Sequence, residues 1–386
     1  MSFQKSKTNT SFIVKLSIAA TSISVAAIIL TFSIVNGFQK QIAQKVYDFW
    51  GEINITPING NILEYSKSFE DSLKKIPGIK IVQPYVIQTS IISYKTEMEG
   101  ILVKGIRKKE IIPFEKEIRN NRLIIKSRQD LIISDYIARK LNLDIKSNVK
   151  LNFLLNGKII ERKLKVAGIY HSGIEEFDQK YIYTDIELLQ NLSYDTVIIS
   201  GYSIKVKNKA NSSKKRTTKK IQALCPPNTV ATPIEEDYPQ IFDWIGVQTV
   251  NRNVAVSIML IIAIVNLITC LFILMLERVN TIGTLTAMGA NHQLIRKVFL
   301  YQVSFISWIG IAIGTVVGLG LSLLQQYTGL IQLDEAAYFM KTLPIKIVPL
   351  QILFLLLGTA TISYISFLIP TFWIKKISPA KTIRFD

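Results

Sequence analysis

Charged residues are missing from four stretches of this 386-residue chain, and those stretches are unevenly spaced. Residues 16–39, 254–276, 298–333 and 347–374 contain no Asp, Glu, Lys or Arg, whereas residues 40–253 are of mixed polarity. A hydrocarbon core of about 30 Å takes about 20 residues of helix to cross, so each stretch is long enough to span it. The third exceeds one crossing, which predicts a span over 298–324 and then a polar segment over 325–346. The pattern therefore predicts an α-helical membrane protein with four transmembrane helices, 16–38, 251–276, 298–324 and 347–373. A large α+β domain, 39–250, is inserted between the first helix and the second. Buried helices of a soluble protein would account for one such run, not for four. The first run continues past Ala43-Gln44-Lys45 as an amphipathic helix, with no small-residue cleavage site, so it is expected to be a span and not a cleaved leader.

Orientation follows from Lys and Arg in the short flanking segments. Lys5, Lys7 and Lys15 precede the first run, Arg278, Arg296 and Lys297 separate the second from the third, and Lys375, Lys376, Lys381 and Arg384 follow the fourth. Residues 1–15, 277–297 and 374–386 are thus expected in the cytoplasm. The large domain and the segment around Asp334 and Glu335 are expected outside an inner membrane.

Within the external domain the first span is predicted to continue as a helical stalk, because Phe38, Ile42, Val46 and Phe49 or Trp50 recur every three or four residues. Strands are predicted over 52–57, 79–96, 99–106 and 181–184, with helices over 65–75 and 185–191. Residues 130–141 read as strand or helix, with Ser134 and Asp135 as possible caps. Residues 149–155 and 158–166 flank Asn156-Gly157, a pair that favours a tight type I′ hairpin because both central residues take positive φ. A polar loop is expected after Tyr170, and Pro226-Pro227 is expected to end a Lys-rich helix over the preceding residues. The domain is read as two subdomains sharing strands from both ends of the segment.

Composition narrows the chemistry. A net charge of +18 would suggest nucleic acid in a soluble protein. Here the excess sits on an exported domain and at membrane ends, where anionic lipid accounts for it, and no nucleic acid partner is expected. The densest basic run, 205–220, reads as a solvated helix face. Cys225 and Cys270, one external and one within a span, form no disulfide framework. His171 with Glu175, Glu176 and Asp178 is a weak metal pattern, read as a solvated loop with no metal expected. There is no Gly-x-x-x-x-Gly-Lys-Ser/Thr, nucleophile elbow or His-Glu-x-x-His, so the chain is expected to be non-catalytic and to bind no cofactor of its own.

Residues 265–271 (Val-Asn-Leu-Ile-Thr-Cys-Leu), Glu277-Arg278 and the run from Thr281-Ile282-Gly283 to Met288-Gly289-Ala290 resemble the permeases of the FtsX superfamily, nearest to the lipoprotein-releasing LolC/LolE type. Supporting matches are Asn36-Gly37-Phe38, the Lys165 to Tyr170 run with Phe177-Asp178, Leu343-Pro344, and Ser378-Pro379-Ala380. Their order and spacing extend over most of the chain.

The resemblance implies an ATP-driven complex. A cytoplasmic ABC ATPase dimer would hold the ATP and contact the loop carrying Glu277, Arg278, Thr281, Ile282, Gly283, Leu285, Met288, Gly289 and Ala290. Ile282, Leu285 and Met288 are expected to fit a groove on that partner, with Gly289 ending the helix. A second permease copy or a homologous permease completes the pair. A lipoprotein substrate would be extracted past Phe32, Val35, Phe38, Ile42, Met259 and Ile262, at about 0.8 kcal/mol per CH₂ of acyl chain, and passed to a periplasmic carrier. Carrier docking would fall on the hairpin tip Asn156-Gly157, which lacks the proline-bearing extension of the LolC type. Export of a drug, peptide or other envelope substrate, or an FtsX-type scaffold signalling to cell-wall hydrolases, are the alternatives. Gly310, Gly314 and Gly318 recur at every fourth position, the spacing that lets helices approach closely in lipid.

Overall fold

The protein was analysed as a computed structural model, which describes residues 2–58, 63–107, 125, 127–155, 157–192, 197–207, 211–334, 338 and 340–371. The chain forms two compact units. One comprises residues 1–40, 244–332 and 342–386, and the other comprises residues 41–243 together with 333–341.

The first unit is helical. Helix α1 (Ser2–Trp50) is continuous from this unit into the next, α8 (Pro239–Glu277) and α10 (His292–Thr328) are separated by the short α9 (Val279–Ala287), and the last described helix is Pro349–Thr371, named α11 below. Three of these, α1, α8 and α10, are long and apolar enough to cross a membrane. The 23 residues of α11 are apolar as well. Residues 372–386 lie outside the described residues. Gly310, Gly314 and Gly318 of α10 lie against α1. A Cβ at Gly314 would sit 2.6 Å from the Ser22 carbonyl oxygen, and one at Gly318 would sit 3.0 Å from Ala26 Cα. Ser22 Oγ donates to the Gly310 carbonyl at 3.0 Å, a contact open only to backbones this close.

The second unit is α+β. In chain order it contains β1 (Ile53–Pro57), β2 (Leu63–Glu64), α2 (Lys67–Lys74), β3 (Ile79–Tyr94), β4 (Glu97–Ile106), β5 (Asp130–Ser134), α3 (Asp135–Lys140), β6 (Asn148–Leu155) and β7 (Lys158–Tyr170). There follow α4 (Glu175–Lys180), β8 (Tyr181–Asp185), α5 (Ile186–Gln190), β9 (Ile198–Ile199), β10 (Gly201–Val206), α6 (Asn211–Gln222), β11 (Thr229–Pro233) and α7 (Ile234–Asp237). A nine-stranded sheet has the order β11-β1-β10-β3-β4-β8-β5-β7-β6, and β3 also pairs with β6, so the last six strands close on themselves. The 16-residue β3 serves both parts: residues 79–85 pair with β10 and 86–94 pair with β4. The expected sharing of strands from both ends is visible in β11-β1-β10, although a single sheet replaces two separate subdomains.

Local signals account for several boundaries. Ser66, Ser134 and Asp185 cap α2, α3 and α5 by accepting from Phe69, Ile137 and Glu187 backbone N–H groups. Residues 130–141 are therefore strand and then helix. Leu155 pairs with Lys158, leaving a two-residue connection in which Gly157 has φ +75°, while Asn156 lies outside the described residues. The polar loop expected after Tyr170 instead holds α4, in which Glu175 accepts from Gln179 and Glu176 from Lys180. Nor is the Lys-rich α6 wholly solvated. Lys214 is buried and donates to Glu235 and to the Tyr47 hydroxyl.

Candidate functional site

The segment between α8 and α10 was expected to meet an ATPase. Helix α8 ends at Glu277, Arg278 begins α9, and α9 closes through Met288 N–H to Thr284 O and Ala290 N–H to Leu285 O. Gly289 permits this closure with φ +90°. Ile282 is 2% exposed and packs with Leu274, Phe299 and Val303, so it holds α9 down and contributes to the wall of the adjoining cavity. Gly283 is buried too. Leu285 and Met288 are exposed, Met288 at 80%. A cavity of about 250 Å³ lies beside them, lined by Arg278, Thr281, Leu285, Ala290, Leu294 and Val298 among others. Such a groove can take an apolar side chain, with a guanidinium nearby.

The expected substrate-lining residues do not behave as one group. Phe32, Val35, Phe38 and Met259 are half-buried and Ile262 is exposed, but Ile42 is 2% exposed and lines no open surface. Arg252, which the sequence reading passed over, lies 4.7 Å above the Phe32 ring and donates to Asn36 Oδ1 at 3.2 Å. Asn36 in turn donates to Gln351 at 2.7 Å, so one polar chain links α1, α8 and α11. A cation flanking a charge-free run was the signal available for it.

In the second unit α1 ends in a clamp. Lys104 Nζ donates to the Phe49 carbonyl at 2.7 Å from 4.0 Å above the Trp50 ring. Ser203 Oγ donates to the Trp50 carbonyl at 2.5 Å, and Lys45 Nζ donates to the Ser172 carbonyl at 2.7 Å. A side-chain donor at a helix C-terminus satisfies a backbone carbonyl that has no partner within the helix, and the aromatic faces suit the Lys104 head group. Phe49 stacks on Phe177 with ring centroids 4.3 Å apart, and Trp50 stacks on Tyr238 at 5.8 Å. Burial pushes the Tyr85 and Tyr238 hydroxyls well above their usual range, so these rings stay neutral. The sequence reading saw the stalk period but not Lys104, because a single Lys in a strand carries no periodic signal.

Beside this clamp His171 is partly buried, not solvated. Its Nδ1 lies 3.0 Å from Asp135 Oδ1 and 3.6 Å from Asp178 Oδ2. Asp178 is buried, and its carboxylate accepts from Ser172 and Gly173 N–H. Burial pushes the Asp178 carboxyl up. Asp135, for which burial acts the same way, is held lower by His171 and Arg139. Glu175 and Glu176, expected nearby, are engaged within α4.

Long apolar helices on either side, in sequence, of an inserted sheet domain, with an exposed apolar turn between two of them, are the layout of a membrane permease. Residues 16–224, more than half of the chain, match the family described as the MacB-like periplasmic core domain, and residues 253–379 match the FtsX-like permease C-terminal family. The chain belongs to the FtsX-like permeases that carry this periplasmic domain. It is 23% identical to the lipoprotein-releasing system transmembrane protein LolC of Buchnera aphidicola subsp. Schizaphis graminum, over 96% of this chain and 93% of that protein. It is 22% identical to the lipoprotein-releasing system transmembrane protein LolE of Haemophilus influenzae, over 96% and 94%. The crystal structure of the periplasmic region of MacB from Actinobacillus actinomycetemcomitans aligns with 52% of this chain and 97% of its own, at 16% identity and a TM-score of 0.36.

Proposed function

We propose that this chain is the permease subunit of an ABC transporter that extracts lipoproteins from the inner membrane, using ATP bound and hydrolysed by a partner ATPase dimer. The observation that carries the proposal is the exposed apolar end of α9, Leu285 and Met288, with a groove at Leu285, in the segment that the Lys and Arg bias leads us to expect in the cytoplasm. Force enters there. Continuous helix α1, clamped at Phe49 and Trp50, relays it to the external domain. Both termini are cytoplasmic in this reading, two permease copies or a permease and its homologue form the pair, and the lipidated substrate enters beside Phe32 and Arg252. A periplasmic carrier receives it at the β6-β7 tip, where the paired Leu154 and Ile159 are 66% and 73% exposed. Likeness over nearly the whole length to LolC and LolE supports lipoprotein as the cargo class.

Photo-crosslinking from Phe38 in cells tests the cargo. Capture of acylated lipoproteins is expected. Capture of a cell-wall hydrolase would instead favour a signalling scaffold, and capture of an unacylated peptide or drug would favour a different exporter.

A further inference from the structure

The geometry points to a divalent transition-metal site, of the kind that takes Zn²⁺, formed by Asp135 Oδ1, His171 Nδ1 and Asp178 Oδ2 at the end of the stalk helix. These three groups come from α3, from the loop after β7 and from α4, and their ligand atoms all lie within 4.8 Å of one another. Zinc bonds to nitrogen and oxygen of about 2.0–2.1 Å, arranged tetrahedrally, set ligand atoms about 3.3 Å apart. The observed separations of 3.0 and 3.6 Å from Nδ1 to the two carboxylates bracket that value. A proton on Nδ1 reaches Asp135 Oδ1 at 3.0 Å but not Asp178 Oδ2, which at 3.6 Å lies beyond hydrogen-bond distance. A metal satisfies all three atoms together.

The surroundings supply what a site of this kind needs. Ser172 and Gly173 N–H groups fix the Asp178 carboxylate at 3.0–3.2 Å. Arg139 takes the other Asp135 oxygen, Oδ2, at 3.0 Å and leaves Oδ1 turned to His171. Such outer contacts orient metal ligands. The cluster opens on a cavity of about 570 Å³ lined in part by Arg139, Asn142, Asp144 and Lys341, room for a water as fourth ligand. Two carboxylates and a neutral imidazole carry a charge of −2, against the Arg139 guanidinium on the far oxygen and the Lys341 ammonium on the cavity wall. The ion would pin residues 171–174 and, through the Ser172 carbonyl that Lys45 grips, the last turns of α1.

The test uses the full-length protein in detergent micelles, stripped with chelator and titrated with zinc chloride by calorimetry. One equivalent per chain is expected, with affinity at least tenfold weaker in His171→Ala and in Asp135→Asn. Saturable binding unchanged in both variants, or no saturable binding in the parent, overturns the site. Should the variants fail to fold, the parent protein gives the answer: zinc should slow modification of His171 by diethyl pyrocarbonate at least tenfold, read by mass spectrometry. An unchanged rate overturns the proposal.

Discussion

At the scale of single residues, Glu70 shows how a buried charge is kept. It is 2% exposed, and burial pushes its carboxyl up, but hydrogen bonds from Arg107, Lys74 and Tyr65 outweigh that and hold it at about 2, below the ordinary 4.5. Because the folded value is depressed, the stabilisation is complete above about pH 4.5 and is lost as pH falls towards 2. Melting temperature of the detergent-solubilised protein is expected to fall over that window, and the Glu70→Gln variant is expected to lose less of its own stability there. Arg107→Ala leaves the carboxylate buried with only Lys74 and the Tyr65 hydroxyl and is expected to cost about 2–3 kcal/mol at neutral pH, read by denaturant unfolding. None of this was legible from the sequence. Arg107 and Glu70 are 37 residues apart and come together because α2 packs against β3, the neighbour of the strand that Arg107 follows. His171 was misjudged for the same reason: its partner Asp135 lies on α3 and was read only as a possible cap.

At the scale of elements, signals that repeat were readable and those that depend on packing were not. The β6-β7 hairpin and the stalk part of α1 followed from turn chemistry and apolar spacing, helices α2 and α5 were expected near their observed places, and Ser134 was a possible cap for α3. Strands β10 and β11 and helix α4 were missed. Each is five or six residues long, too short for a period, and β10 is held between β1 and β3 by partners far away in sequence. The α1–α10 contact allows a sharp comparison. A Cβ at Gly314 meets Ser22 and Val25 within 3 Å, whereas one at Gly320 meets nothing within 4 Å. Gly314→Leu is expected to abolish recovery of folded protein and Gly320→Ala to leave it unchanged, read by size-exclusion chromatography in detergent. At the end of α9 a Cβ at Gly289 also meets nothing, so Gly289→Val costs only the backbone strain of a β-branched residue at positive φ, about 1–2 kcal/mol locally. Transport is expected to fall while the ATPase continues to turn over, measured by lipoprotein release from spheroplasts against phosphate production. Equal rates to the parent would remove α9 from the coupling path. On the hairpin, Leu154→Ser combined with Ile159→Ser should weaken carrier binding by surface plasmon resonance while changing folding stability by under about 1 kcal/mol, since both side chains are already exposed.

At the scale of the whole molecule, charge-free runs and the family resemblance placed the large domain between the first two apolar helices. They did not show that residues 333–341, which follow α10, belong to that domain. Lys341 lines the same cavity as Asp135 and His171 of that domain. The chain consequently passes between its two units at four places, after residues 40, 243, 332 and 341. A soluble fragment cut at the obvious boundaries, residues 41–243, would be missing a piece of its own fold, much as a split protein lacks its complementing strand. A synthetic peptide of residues 333–341 should therefore raise the melting temperature of that fragment, and a fragment prepared without it should offer the peptide's vacated seat to whatever apolar side chain comes first.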